Sequence, residues 1–427
     1  MLAVALPFVA THLTSLSSPD IRETTPDDDL DDLVDLARRA FGPDAVSDGP
    51  DAEAQRRASI GAAIAGGRVY GAFSGGQMVA SASWHDMHQW WHGRSLPMAG
   101  VAAVMVAPEF RGRGVGRTLM TEVLDAIARR GYPLSVLYPA TTPIYRSLGW
   151  EMAGGEYHAL LPARSLRSLL TPDISRNTAG TLADDPAGAR HAAPFRRATE
   201  QDAAAVIEVE DRAHELTRAH GPNRRDEASV AAWLADQNRY AYLAPDGFLA
   251  YRWGRGHEIK VERIVAATER TVRELWSIVA SHSSTADTVS ARVGPDDPLF
   301  WLTREPDPAI RYRDQWMLRL VDVQAAVAGR GFPASVQLSL PLFIQDDARD
   351  GNAGLWELSV TGGRGTLVPH PEATHPLTIG ARGLAALYGG APMATLRQAG
   401  LASGGDPVAD SELDGAFGGA SYLLDNF

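Results

Sequence analysis

The spacing of apolar residues changes several times along the chain, and each change marks an element. From Gly100 to Val106 small and β-branched residues alternate as in a strand. Beyond an Arg/Gly-rich turn, Val115, Leu119, Val123 and Ile127 recur every four residues on one helical face, and Gly131 stops that helix after Arg129-Arg130. Upstream, Ile21-Arg22-Glu23 reads as a short strand. Thr25-Pro26-Asp27 then opens a helix that runs through Phe41, with Leu30, Leu33, Val34 and Ala37 inward. Val69 to Phe73 and Met78 to Trp84 read as a hairpin about Ser74-Gly75-Gly76. Leu134 to Tyr138 is the next strand, and Pro143 starts a short helix, Ile144 to Leu148, ended by Gly149.

Past Leu170 the periodicity fades, and Pro172 and Pro186 mark a boundary region between Ala163 and Ala193. The first plan then restarts. Phe195 to Asp202 resembles Ile21 to Asp27 and leads into a helix, Ala203 to Ala213. Tyr240 to Trp253 reads as strands, and Ile259 to Val265 as the counterpart of the strand ending at Val106. Where the first copy has glycines, this one has Ala266-Ala267-Thr268-Glu269-Arg270, then a helix through Val279. From Gln315 a third pattern begins, with a helix at Val323 to Ala328 and strands at Ser335 to Ile344, Gly354 to Val360 and Pro376 to Gly380. Helices at Ala381 to Tyr388 and Met393 to Ala399 follow, and the chain ends Ser421-Tyr422-Leu423-Leu424-Asp425-Asn426-Phe427. The expected division is an extension over 1–19, domains over 20–165, 194–314 and 315–427, and a linker over 166–193. Strands and helices alternate in the first two, α/β in character, and the third is α+β, a sheet with helices on one face.

At 427 residues, 45% hydrophobic and 22% charged, the chain is an ordinary globular protein too long for one core. Cysteine is absent. That excludes disulfides, Cys-based zinc sites and an acyl-cysteine intermediate, so any acyl transfer is direct. A net charge of −12 argues against nucleic acid and suits a cationic substrate or none in particular. Lys260 is the one lysine among 40 basic residues, which fits a GC-rich genome or a lysine-modifying enzyme that avoids modifying itself. Met1 to Ala10 is apolar but short, with no basic residue before it, so Met1 to Pro19 reads as a loose extension or a misassigned start. No stretch reaches a transmembrane length, and a cytoplasmic protein that does not engage membranes is expected.

The chemistry gathers at Arg111-Gly112-Arg113-Gly114-Val115-Gly116-Arg117. Strand, glycine-rich loop and helix N-terminus together form an anion site, whose free amides and dipole suit a pyrophosphate. A P-loop needs a Lys after its glycines, and a dinucleotide fingerprint needs G-x-G-x-x-G with a later acidic residue; neither is the pattern here. With Val104-Met105-Val106-Ala107-Pro108 ahead of it, the loop resembles the acetyl-CoA signature of the GCN5-related N-acetyltransferases (GNAT). That resemblance implies that the strands ending at Val106 and Tyr138 splay, that pantetheine pairs with Val104 and Val106, and that the thioester lies beside the short helix carrying Tyr145. A phenol there can protonate the departing thiolate. The loop at Asp44 and the segment with Trp84 and His85 are candidates to wall an amine pocket, although the aromatics could equally pack under the sheet. Histidines 85, 88 and 92 lie in strand-like sequence without the Glu of H-E-x-x-H, so no metal is expected.

A domain with this loop, a repeat without it and a C-terminal α+β domain resemble the enhanced intracellular survival (Eis) family of actinobacterial N-acetyltransferases. The motifs that carry this are the loop and its strand, Gly131-Tyr132-Pro133, Ile144-Tyr145 with Gly149, Met317 to Val323, and the terminal Phe. The resemblance implies a sterol-carrier-like third domain and a homohexamer. It also implies Tyr145 as acid, the carboxylate of Phe427 as base, and acetyl-CoA held by Val104, Met105, Val106, Arg111 to Arg117, Ala140 and Thr141. The substrates implied are small amines, aminoglycosides at several positions among them, or lysine-containing peptides. Tyr138 and Ala140 stand where the family has His and Ser. The competing reading is a lipid carrier whose acetyl-CoA site is regulatory or vestigial.

Overall fold

The computed structural model describes residues 18–26, 28, 30–42, 50–170, 195–303 and 309–427. Most of the expected extension, Asp44 and nearly all of the expected linker lie outside the described residues. Packing divides the chain into two units: the residues up to His85 with Val101–Ala126, and Asp86–Gly100 with Ile127–Phe427.

In the first unit β1 (Asp20–Glu23) comes before α1 (Leu30–Phe41), whose first turn is acidic and last turn basic, as the helix dipole favours. Next come α2 (Pro50–Ala65), β2 (Val69–Ser74), β3 (Gln77–Trp91) and β4 (Arg94–Val106), the last two running on into the second unit. α2 is not signalled by apolar spacing, because its alanines favour helix without drawing a stripe. β2 pairs antiparallel with β1 and, through the expected hairpin, with β3. Leu33, Leu36, Ile64, Val69, Met78, Met105 and Ala107 form the core. α3 (Val115–Arg129) follows the glycine loop and stops before Gly131, at φ +78°.

The second unit continues with β5 (Leu134–Leu137), α4 (Pro143–Arg146) and β6 (Glu151–Pro162). The repeat supplies β7 (Arg196–Arg197), α5 (Ala203–Leu216), β8 (His220–Arg224), α6 (Glu227–Leu234), β9 (Arg239–Ala244) and β10 (Gly247–Trp253). β11 (Glu258–Ala266), α7 (Glu269–Ala280), β12 (Thr288–Val293), α8 (Leu299–Leu302) and β13 (Ala309–Leu320) complete it. These strands lie in the order β5-β13-β6-β12-β11-β10-β9-β7. The segment from Gln315 that the sequence pattern assigns to the third region is the end of β13. It pairs antiparallel with β5 and β6, and Trp316, Met317 and Leu318 are sealed within this sheet. Its partners are far away in sequence, so local pattern cannot reveal them.

The restart extends to single hydrogen bonds. Arg22 grips Asp28 at 2.6 and 2.8 Å while the Thr25 amide donates to the same carboxylate at 2.7 Å. In the repeat Arg196 donates to Asp202 at 2.6 Å and the Thr199 amide at 2.8 Å. An arginine, a threonine three residues on and an aspartate three further thus tie strand to helix in both copies.

The third region holds α9 (Val323–Gly329), β14 (Leu338–Gln345), β15 (Gly354–Thr361), β16 (Arg364–Pro369), β17 (Leu377–Gly380), α10 (Ala381–Tyr388), α11 (Met393–Gln398), β18 (Ala402–Gly404) and α12 (Pro407–Phe417). Its sheet runs β16-β15-β14-β17-β18. Leu340, Leu342, Ile344 and Leu358 of the sheet belong to one core with Leu384, Leu387, Leu413 and Phe417 of the helices.

Candidate active site

In the first unit, β4 delivers its end to the glycine loop. Ala103 takes φ +51° inside the strand, just before Val104, a conformation costly for a residue with a Cβ. Sequence pattern does not mark this residue. Beyond it Met105 points into the core while Val104 and Val106 are half-exposed on the other face.

Gly112 at φ +72° and Gly114 at φ +81° turn the chain, and a Cβ placed on either would meet no atom within 4 Å. The loop's outer surface is therefore open. The first helical bond runs from the Thr118 amide to the Gly114 carbonyl at 3.1 Å, so among the described residues the amides of Gly112 to Arg117 have no backbone acceptor. Arg111 braces the turn, its Nε donating to Val106 O and its Nη2 to Ala40 O, both at 3.2 Å. Arg113 and Arg117 are exposed and available to an anion. Free amides, a helix N-terminus and spare guanidinium groups fit the pyrophosphate and 3′-phosphate of a coenzyme A thioester.

In the second unit the C-terminal tail is laid against β6 and β8. The Leu423 amide donates to Gly155 O at 3.1 Å and the Tyr422 amide to His220 O at 3.0 Å. The tail passes so close to Gly221, at φ +100°, that a Cβ there would lie 2.4 Å from the Tyr422 carbonyl oxygen. Arg292 donates to Leu424 O at 3.2 Å, and buried Arg263 donates to the Asp425 carboxylate at 2.5 Å. Arg263 holds that carboxyl below its usual range against the opposing cost of burial.

The Tyr138 hydroxyl donates to Asp425 O at 3.0 Å, and its ring centroid lies 5.5 Å from that of Phe427. Burial first, then the carboxylates of Glu156, Asp425 and Asp314, push the Tyr138 phenol up, so it remains a donor. The Phe427 ring rests on Gly100 and Met87, where a Cβ on Gly100 would come within 2.8 Å of both side chains. These contacts seat the Phe427 ring. The tail's bed, Arg263, Arg292 and Tyr138, is not legible in sequence, where two arginines and a tyrosine in distant strands have no shared spacing.

Tyr145 sits on α4 at 5% exposure, its ring 6.5 Å from that of Trp150, and burial pushes its phenol up to about 12. Among the described residues its hydroxyl has no hydrogen-bond partner. Ala140 and Thr141 are exposed in the turn after β5. Trp84 is 1% exposed and packs on Tyr70, so of the two settings its sequence allows it takes the packed one; its neighbour His85 points outward, as strand alternation requires. Asp44 lies outside the described residues. Among the described residues no helix is long and apolar enough to cross a membrane.

Comparison with known proteins agrees with this geometry. The Acetyltransferase (GNAT) domain family matches residues 20–153, a second Acetyltransferase (GNAT) domain family matches 195–320, and the Sterol carrier protein domain family matches 323–422. A crystal structure of a GCN5-related N-acetyltransferase from Kribbella flavida is 40% identical, with a TM-score of 0.85 over 96% of this chain and 99% of that one. Another from Anabaena variabilis is 25% identical, with a TM-score of 0.79 over 96% and 100%. N-acetyltransferase Eis of Mycobacterium tuberculosis is 28% identical over 81% of this chain and 85% of its own. Repeat, glycine loop and third domain together make this chain a member of the GCN5-related N-acetyltransferases, of the Eis type in which two acetyltransferase domains are followed by a sterol carrier protein domain.

Proposed function

We propose that the protein transfers acetyl from acetyl-CoA directly to primary amines, aminoglycosides at several positions or lysine side chains, with Tyr145 as acid and the α-carboxylate of Phe427 as base. Acetyl-CoA is held through Val104 to Val106, the loop Arg111 to Arg117, and Ala140-Thr141. The amine nitrogen attacks the thioester carbon, the C–S bond breaks, the nitrogen's proton passes to the Phe427 carboxylate, and the Tyr145 proton goes to the leaving sulfur. CoA then departs as a thiol.

The observation that carries this reading is the clamped tail: Arg263, Arg292 and Tyr138 all bind its last residues, far more than a solvated terminus needs. Tyr145 supports it as a phenol that stays protonated throughout the neutral range. A free α-carboxyl has a reference pKa of about 3.3–3.7, poorly matched to an ammonium. The base therefore acts on the neutral fraction of the amine or through a water. The same resemblance carries a homohexamer, which sedimentation would test.

CoA thiol release with a panel of aminoglycosides and lysine peptides decides the substrate class. Turnover with either class, lost in Tyr145→Phe while acetyl-CoA still binds, is the expected result. Absence of turnover with every primary amine, alongside co-purifying lipid, would instead favour a carrier role.

A further inference from the structure

The repeat has lost the glycine loop but retains a gap between strands. β11 and β12 pair in parallel from Glu258 opposite Thr288 to Val261 opposite Ala291, and the pairing stops there although β11 continues to Ala266. Beside the unpaired ends is a cavity of about 520 Å³. Val265, Trp276 and Val293 wall it, and the tail residues Tyr422 and Leu424 close one side. Its size and apolar walls are those of small-molecule sites.

The polar groups inside are unusual. Asp297 accepts from the Leu299 amide at 2.9 Å through Oδ1, and among the described residues no cationic side chain pairs with it. His214 is 3% exposed and its Nε2 has no partner among the described residues; the same is true of His220 Nδ1 at 6% exposure. Both imidazoles are neutral, because burial lowers them to about 4 and about 3. Arg218 and Asp296 also line it and are exposed. Among the described residues no group of three or more His, Cys, Asp or Glu is placed to hold a metal ion. What remains inside is a carboxylate without a counter-charge, three imidazole nitrogens without partners, on His92, His214 and His220, and an aromatic wall.

We infer that this cavity binds a small amine with an apolar body, its ammonium on Asp297 and its body against Trp276 and Val265. A helix-capping role explains one oxygen of Asp297 and neither the cavity nor the orphaned nitrogen of His214. The inference is independent of which amine the first domain acetylates. Because Tyr422 and Leu424 wall the cavity, its occupant also touches the tail that ends at Phe427.

The test uses gramine, a tertiary indole amine that has no amine N–H to acylate, with tryptophol as its uncharged counterpart. Calorimetry on the full chain is expected to show one equivalent of gramine bound, with tryptophol at least tenfold weaker. Asp297→Asn, which can still accept from the Leu299 amide, and Val272→Trp, which fills the cavity from another of its lining residues, should each weaken gramine at least tenfold and leave acetyl-CoA binding unchanged. Hydrogen exchange should slow at Tyr422 to Leu424. No gramine binding, equal binding of tryptophol, binding untouched by both variants, or protection confined to residues 111–117 would each overturn the inference.

Discussion

Arg263, 1% exposed, donates from Nη2 to Oδ2 of Asp425 at 2.5 Å, two residues before the end of the chain. Glu210 lies 3.4 Å from Arg263 Nε and binds Arg225 at 2.7 Å, so the pair is part of a larger charge network. Removing one member of such a pair leaves a charge buried and unmatched, at a cost of about 3–5 kcal/mol. Asp425→Asn and Arg263→Gln should therefore free the tail and lower the transfer rate by at least tenfold. Acetyl-CoA affinity should stay the same, because the glycine loop is untouched. Tyr138→Phe, which removes one hydrogen bond to Asp425 O, should cost about 1 kcal/mol in the same readout.

Tyr145→Phe keeps the ring against Trp150 and removes only the proton. Loss of a general acid lowers turnover by about 10²–10⁴-fold, and the melting temperature should change little. Steady-state kinetics with calorimetric acetyl-CoA binding separates this from misfolding.

Gly112 and Gly114 occupy φ +72° and +81°, which cost a residue with a Cβ about 1–2 kcal/mol each. Either Gly→Ala change should weaken acetyl-CoA about tenfold and leave the amine KM unaltered, as initial rates at varied acetyl-CoA will show. There is open space at both positions, so the effect comes from backbone strain rather than a clash.

The glycine loop, α3, α4 and α10 were legible because each is local: periodic apolar positions bounded by Gly or Pro. α2 lacked the stripe that would reveal it, though its composition favours helix. α12 carried readable signals, Asp406 as N-cap and Pro407 in the first turn, that apolar spacing alone passes over. The pairing of β13 with β5 and β6 is non-local and so did not show in apolar spacing, while its Trp316, Leu318 and Leu320 share a core with the third region. The loop's motif could be read as an anion site, whereas the tail's bed could not: Arg263, Arg292 and Tyr138 converge only through sheet order. Ala103, a strained residue in an unremarkable alanine pair, gave no sequence signal at all.

Acid should destabilise the fold through its buried histidines, while Asp297, which burial raises to about 6, works in the opposite direction. Burial, reinforced by Arg330 at His92 and His220 and opposed by Glu210 at His214, lowers these histidines to about 4, 3 and 4 respectively. Unfolding restores a pKa of about 6.5, so below that value the unfolded chain binds protons that the folded chain refuses. Their contribution is fully present above pH 6.5 and is lost as pH falls toward 4. Asp202, which Arg196 holds down to about 2, adds a loss that begins only below its ordinary value of 3.8. Melting temperature measured from pH 7 to 4 should fall steadily, and His214→Gln should flatten the slope.

The central claim is that the terminal carboxylate of Phe427 is the base, and one added residue tests it. A glycine appended after Phe427 keeps the phenyl ring available to Gly100, Met87 and Tyr138 and moves the carboxylate by one residue. CoA release by the extended protein should fall by about 10²-fold or more with acetyl-CoA affinity intact. Turnover equal to that of the unextended chain would contradict the claim and send the search for the base to Asp44, His85 and other groups of the first domain.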